Sequence, residues 1–321
     1  MDEFSLIKHF FEQPNASSAQ KNSALIQGIG DDCAILSVPD GMDLVFSLDT
    51  LVEDVHFPKD ASPADIAWRL LGAAVSDLAA MGAVPNSFTL ALTLPELSQT
   101  WLKSFSENLA LAADTYGVSL AGGDTTKGPL CLSAQVQGFV KKGAALLRSS
   151  AKVDEFICVT GCLGDSRAGL SLLDTAQDNS CHNYLLERFY RPTPRIAAGL
   201  IIKDFASACI DVSDGLLADL NHILSRSAVG ATIDATAIPM SAQMHQVAKE
   251  QALQWALTGG EDFELCFTLP QKHWPQLQQR LQAQDIAVSN IGIITTDKKL
   301  QMLQDGQLHG VTATGFNHFS K

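Results

Sequence analysis

A chain of 321 residues is longer than one hydrophobic core usually organises, so two domains are expected. Hydrophobic residues make up 46% and charged residues 18%, a globular composition rather than a disordered one. Acids outnumber bases by 35 to 22, a formal net charge of -13 that leaves no basic stripe for a nucleic-acid backbone; an anionic ligand would need its positive charge from elsewhere, a divalent metal first of all.

The opening MDEFSLIKHFF has two early acids and lacks the basic start and small-residue cleavage site of a signal peptide. Apolar runs such as residues 88–94 fall far short of the roughly 20 residues that span a bilayer. A cytoplasmic protein without a membrane partner is the expectation. GIGDDCAIL, residues 28–36, then places two adjacent aspartates beside glycines at the mouth of a strand. On a strand their side chains would point to opposite faces, with Asp32 reaching a ligand and Asp31 bracing it.

Residues 43–49, DLVFSLD, read as a strand whose end carries Ser47 and Asp49. Ser62, Pro63 and Asp65 supply a cap, a first-turn proline and a first-turn acid for a helix that runs to about Met81, where Gly82 stops it. A strand at 88–94, a helix from Ser98 to about Tyr116, the short strand VSLAGGD and the alternating strand LCLSAQVQGFV follow. Residues 1–148 therefore form a first domain, and the Lys141-Lys142-Gly143 and Arg148-Ser149-Ser150 stretch reads as the link to a second, 149–321.

The second half offers the strand EFICVTG, a helix in GDSRAGLSLL, a polar loop at 174–183 and a short strand before the helix GLLADLNHIL. The strand FELCFTL, a helix at about 273–284 and the strand VSNIGIITT complete it. The fold class is α+β, mixed α/β, in two domains. Seven scattered cysteines without a CxxC pair exclude a disulfide framework and a structural zinc site, and read as small buried apolar groups.

The acids concentrate where glycines and small residues lie: GIGDDCA, FSLDT, SDLAAMG, LAGGDTT, IDVSDG and TGGEDFE. Asp77 is the most telling, because its helix is otherwise apolar and the C-terminal end of a helix disfavours a carboxylate. A bound cation reverses that penalty. Aspartate is a hard, short ligand suited to Mg²⁺, which keeps positions open for water and phosphate oxygens at about 2.1 Å. Several such turns on one cleft would hold more than one ion around a transferred phosphoryl group. No GxxxxGK[ST] loop and no kinase HRD or DFG set occurs, so nucleotide chemistry here needs another scaffold.

In order along the chain, GIGDDCA, SLDTLVEDVHF, SDLAAMGA, GGDTTKGPL, LLRSSAK, IDVSDGL and GGEDFEL resemble the thiamine-monophosphate kinase family. That family belongs to a wider group with aminoimidazole ribonucleotide synthetase and selenophosphate synthetase. The resemblance implies an N-terminal mixed sheet with helices that dimerises through its strands, a C-terminal α+β domain, and ATP with several Mg²⁺ ions in a cleft between them. It implies transfer of the γ-phosphoryl group of ATP to thiamine monophosphate, giving thiamine diphosphate.

Carried over by position, the metal ligands are Asp32, Ser47, Leu48, Asp49, Asp77, Asp124, Asp211 and Asp214. Gly123, Asp124, Arg148 and Ser213 match nucleotide-contacting positions, and His56, Glu261 and Phe316 match substrate-contacting ones. Leu48 replaces the family's usual threonine, so it offers a metal only its backbone carbonyl.

Simpler readings stand beside these. Arg148 suits an ordinary salt bridge and His56 an exposed loop. Asp211 and Asp214 flank Ser213 before a helix, where one of them would cap; Asp219, one turn on, reads as structural. Trp255 and Phe263 suit the core better than a stacking role on a cationic ring. The rival functions are a purine-pathway cyclo-ligase of the same group and a non-catalytic metal- or nucleotide-binding regulator. DVHF and GGEDFEL favour the kinase. A selenophosphate synthetase is disfavoured because no reactive cysteine sits in a glycine-rich N-terminal loop, and a calcium loop of D-x-D-x-D-G form is missing.

Overall fold

The computed structural model describes residues 7–12, 22–173, 175 and 179–315. These divide into two compact units after Ala144, a little ahead of the boundary expected from the sequence, with Ala79–Gly82 grouped with the second unit. Phe316 and the loop residues 174 and 176–178 lie outside the described residues.

In the first unit, β1 (Leu25–Gln27) and β2 (Ile35–Leu36) form a short antiparallel pair. β3 (Met42–Val52), β4 (Val84–Leu94), β5 (Ser119–Lys127) and β6 (Cys131–Lys141) form a mixed sheet in the order β3-β6-β4-β5, with only β4 and β5 parallel. The helix Pro63–Ala80 starts as the sequence dictates: the Ser62 hydroxyl accepts the Asp65 N–H at 3.1 Å and donates to the Asp65 carboxylate at 2.7 Å. Gly82 ends it at φ 65°, where a side chain would be strained. The helix Gln99–Tyr116 is capped by Ser98 and closed by the left-handed Gly117. Leu70, Leu71, Leu78, Leu102, Phe105 and Leu109 from these helices are buried, as are Phe88, Leu92, Leu132 and Val136 of the sheet. The helices thus cover one face of the sheet.

The second unit contains β7 (Phe156–Thr160), β8 (Ala208–Asp211), β9 (Gly230–Asp234), β10 (Leu265–Leu269), β11 (Val288–Thr295), β12 (Leu300–Gln304) and β13 (Gln307–Gly310). Their order is β13-β12-β9-β11-β7-β10-β8, with only β12 and β9 parallel. Alternate residues of β7 enter different cores: Ile157 and Val159 pack with Leu216, Leu220 and Ala256, whereas Cys158 packs with Ile202, Leu277 and Leu281. Burial on both faces explains why EFICVTG and FELCFTL read as unbroken apolar runs instead of alternating ones.

Several expectations change. The polar stretch 174–183 is not all loop, because Asn179 caps a helix, Ser180–Tyr190, by accepting the His182 N–H. The helices Ile196–Ile202, Ala242–Ala248 and Ala252–Thr258 and the strands β9, β12 and β13 were absent from the sequence reading. All are short, and the first is apolar all round, so period alone does not reveal them. Cys158, Cys209 and Cys266 are buried as expected, but Cys33 is exposed, and none of the cysteines is bonded to another. Among the described residues no helix is long and apolar enough to cross a membrane.

The second unit is held together by a buried acid. Glu264, 0% exposed, accepts from Arg195 through both oxygens at 2.5 and 2.6 Å, from Arg188 at 3.0 Å and from Thr160 at 2.7 Å. Gly161 beside it has no room for a methyl group, since a Cβ would lie 2.2 Å from a Glu264 oxygen. Glu264→Ala removes the carboxylate that pairs with two mostly buried guanidinium groups and is expected to lower unfolding free energy by about 3–5 kcal/mol, read from the midpoint of urea unfolding.

Candidate functional site

In the first unit the site is built on β3 and the helix behind it. β3 is an edge strand paired only with β6, and its residues alternate. Ser47 and Asp49 point to the helix side, while Leu44, Phe46 and Leu48 lie exposed on the other. Asp77 leaves the last turns of the helix Pro63–Ala80 towards that side, and its Oδ2 accepts from the Ser47 hydroxyl. Leu48 turns its side chain away, which leaves only its carbonyl as a donor to a metal.

Asp49 carries the strongest electrostatic signal here. Burial first, and the charge of Asp77 second, push its carboxyl up to about 7. Its Oδ2 is buried without a hydrogen-bond partner. An orphaned buried carboxylate oxygen is costly, and a hard cation is the ligand that satisfies it. Among the described residues no group of three His, Cys, Asp or Glu side chains stands ready as a metal cage. Mg²⁺ does not require one, because it holds one or two carboxylates together with water and phosphate oxygens.

Gly122, Gly123 and Asp124 lie on β5 after an irregularity in the β4–β5 register between Phe88 and Thr89. At Gly123 a Cβ would come within 2.1 Å of the Leu90 carbonyl oxygen, so only glycine permits this strand spacing. Asp124, next along, is exposed. His56 sits in a tight turn after β3: its Nδ1 accepts the Val52 N–H at 3.0 Å, and its carbonyl accepts from Arg69 Nε at 2.9 Å. With Nδ1 an acceptor, the neutral ring carries its proton on Nε2. Arg69, 1% exposed, was missed by the sequence reading; its only signal is a lone cation in an apolar helix.

Asp31 and Asp32 are not on a strand. They follow a turn in which Gly30 has φ 123°, and the Asp31 carboxylate accepts the Asp32 N–H at 2.9 Å. The turn, not strand alternation, separates the two acids. Asp32 itself is exposed.

In the second unit, Asp211 ends β8 and is 4% exposed, while Ser213 and Asp214 lie in the loop before the helix Leu216–Ser227. Neither Asp211 nor Asp214 caps that helix, whose N-cap is Gly215 with no side-chain cap bond. The acid that organises the loop is Asp219. Its Oδ2 accepts the N–H groups of Ser213, Asp214 and Gly215 at 3.0, 3.0 and 3.1 Å. Burial first, with the Asp214 charge, pushes its carboxyl up to about 7, against the pull of the Asp214 and Ser213 N–H groups and of the Arg148 charge. Arg148 is exposed, and its carbonyl accepts from the Ser227 hydroxyl.

The segment with Glu261 locks onto the same loop. The Glu261 N–H donates to the Ser213 carbonyl at 2.8 Å and the Phe263 N–H to that of Val212 at 2.9 Å. Glu261 and Phe263 both have positive φ, 66° and 51°, a strained backbone that buried neighbours hold in place. Asp262, 1% exposed, accepts the Gly164 and Ser166 N–H groups at 2.7 and 3.1 Å; burial pushes its carboxyl up to about 7. Phe263 is buried, and Trp255 packs on the core with Arg167 over its ring at 5.3 Å.

Residues 30–140 match the family model described as AIR synthase related protein, N-terminal domain, and residues 152–304 match its C-terminal domain. The thiamine-monophosphate kinase of Salmonella typhimurium is 44% identical over 324 aligned residues, covering 99% of this chain and 98% of that protein. Among solved structures, a thiamine-monophosphate kinase from Stenotrophomonas maltophilia superposes with a TM-score of 0.87 at 39% identity, covering 96% of this chain and 98% of that one. AaThiL, complexed with AMPPCP and TMP, gives 0.79 at 29% identity, covering 99% of this chain and 97% of that one. Joined to the acid-bearing turns of both units, this near full-length likeness places the chain in the thiamine-monophosphate kinase family.

Proposed function

We propose that this protein transfers the γ-phosphoryl group of ATP to the phosphate of thiamine monophosphate, forming thiamine diphosphate and ADP in the cytoplasm. The likeness over nearly the whole chain to thiamine-monophosphate kinases, one of them complexed with AMPPCP and TMP, carries this reading. An acceptor phosphate oxygen bonds to the γ-phosphorus as the bond from that phosphorus to the β,γ-bridging oxygen breaks. A phosphate monoester has a second pKa of about 6, so the acceptor is largely ionised near neutral pH and no catalytic base is assigned.

In the first unit Asp49, Asp77, Ser47, the Leu48 carbonyl, Asp32 and Asp124 would hold Mg²⁺, and in the second unit Asp211 and Asp214 are the carboxylates suited to it. The orphaned Asp49 oxygen fits that assignment. Bound Mg²⁺ neutralises phosphate charge and helps align donor and acceptor oxygens. For the nucleotide phosphates, Gly123 and Asp124 are the candidates on the first unit, Gly123 by allowing close backbone approach, and Ser213 and Arg148 those on the second, the planar fork of Arg148 suiting phosphate oxygens. His56 donates from Nε2 to the acceptor phosphate. Glu261 offsets the cationic thiazolium, and Phe316 stacks on the substrate rings.

The protein works as a homodimer through the uncovered face of the first sheet. Leu44, Phe46 and Leu48 are 40, 66 and 61% exposed along one side of β3, an apolar row that a second copy would bury.

Purified protein with ATP, Mg²⁺ and thiamine monophosphate is expected to yield thiamine diphosphate by chromatography, and no product across a range of magnesium and potassium would overturn the reading. Asp49→Ala is expected to lower turnover by roughly a hundredfold or more, with an unfolding midpoint unchanged or raised because a buried unpartnered carboxylate is removed. Asp32→Asn is expected to reduce kcat more than Asp31→Asn, since Asp31 acts only by holding the Asp32 backbone. Phe46→Asp is expected to shift sedimentation from dimer to monomer.

A further inference from the structure

Ser213 and Asp214 sit in a loop whose shape is set by residues outside it. Their loop follows β8 and lacks the usual device for ordering the start of a helix, since Gly215 occupies the N-cap at φ 110° with no side chain to accept. The loop amides instead turn inward onto one oxygen. Asp219 Oδ2 gathers three consecutive N–H groups within 3.1 Å, from a side chain that is 2% exposed. Three amides point at one buried acceptor, while the Ser213 and Asp214 residues themselves remain half-buried.

The opposite edge of the loop is also fixed. The Ser213 and Val212 carbonyls receive the N–H groups of Glu261 and Phe263, and the Val212 N–H donates to the Glu264 carbonyl at 2.7 Å. A Cβ at Gly260 would lie 2.4 Å from the Ser213 carbonyl oxygen, so the two segments touch through their backbones. The loop is thus clamped between a carboxylate behind it and the Glu261 segment beside it. The Asp219 side of that clamp is a single atom.

We propose that Asp219 is a positioning residue for phosphoryl transfer: it touches neither substrate nor metal, and it sets Ser213 and Asp214 in register to receive the magnesium-bound nucleotide. Through the Ser213 carbonyl the same anchor fixes where the Glu261 backbone lies. This role rests on the function proposed above. It requires three N–H groups to find an acceptor at one point in space, so geometry matters more than charge. An amide oxygen serves; a carboxylate on a longer arm does not.

The test compares Asp219→Ala, Asp219→Asn and Asp219→Glu in steady-state kinetics against ATP and Mg²⁺, with the unfolding temperature of each variant measured with and without MgATP in the absence of acceptor. Asp219→Ala and Asp219→Glu are expected to raise KM for ATP and the half-saturating Mg²⁺ concentration on the order of tenfold to a hundredfold, and to reduce the MgATP-induced rise in unfolding temperature. Asp219→Asn is expected to stay within roughly threefold of the parent protein, because its Oδ1 accepts the same amides. A purely structural residue would lower the unfolding temperature and the active fraction while leaving both saturation constants unchanged, and that outcome overturns the role. If Asp219→Ala does not fold, parent-like constants for Asp219→Glu overturn it equally. A parent protein that makes no product and shows no MgATP-induced stabilisation overturns the proposed function and this role together; a parent that turns over beside unperturbed variants overturns this role alone.

Discussion

Like charges held close together in a partly dry environment are the constraint around which the first unit is arranged. Asp49 and Asp77 face the same side of β3, and burial together with that neighbouring charge pushes the Asp49 carboxyl up to about 7. A chain selected only for stability would avoid this arrangement, since an unpartnered buried oxygen contributes nothing to folding. It becomes favourable once a divalent cation enters. The same reasoning bears on a protein of net charge -13 whose proposed substrates are both phosphorylated: acids that would repel phosphate on their own would attract it once a divalent cation sat among them.

The second unit handles its acids differently. Glu264 is paired with two arginines, Asp262 accepts two backbone amides, Asp165 accepts from the Tyr184 and Ser241 hydroxyls, and Glu155 accepts from Ser207 and Thr268. These buried carboxylates hold loops together by hydrogen bonding. Within the motif GGEDFEL, Asp262 and Glu264 point inward and hold the segment whose backbone is strained at Glu261 and Phe263.

Much of this was legible in the sequence, and what was not has identifiable causes. Long elements with a clear period or clear end signals were readable: the helix begun by Ser62 and Pro63 and stopped by Gly82, the helix capped by Ser98, and the alternating β6. The acid-bearing turns were readable because glycines and carboxylates cluster there. Short helices such as Ile196–Ile202 were not, since an all-apolar stretch of two turns has no period to detect. The role of Asp219 was also hidden. An acid in the first turn of a helix is normally read against the helix dipole, and here it bends back to the preceding loop. Arg69 escaped for a similar reason, because it donates to a backbone carbonyl, which no side-chain pattern reveals. Asp31 and Asp32 were placed on a strand, and a glycine with positive φ made a turn of it.

The alternation of β3 means that a single pairing error would be felt twice. Phe46 lies opposite Gln137, Ser47 opposite Val136, Leu48 opposite Gln135 and Asp49 opposite Ala134 on β6. Sliding β3 by one residue would turn Ser47 and Asp49 outward among the apolar row and bury Phe46 and Leu48 against Asp77. Misregistered chains would thus lose the polar side and the apolar side together. β3 is an edge strand with a single partner, and besides its ladder to β6 the Ser47–Asp77, Thr50–Ser133 and Gly143–Asp43 hydrogen bonds fix the alignment, so the two-faced pattern reinforces a register that local contacts already set.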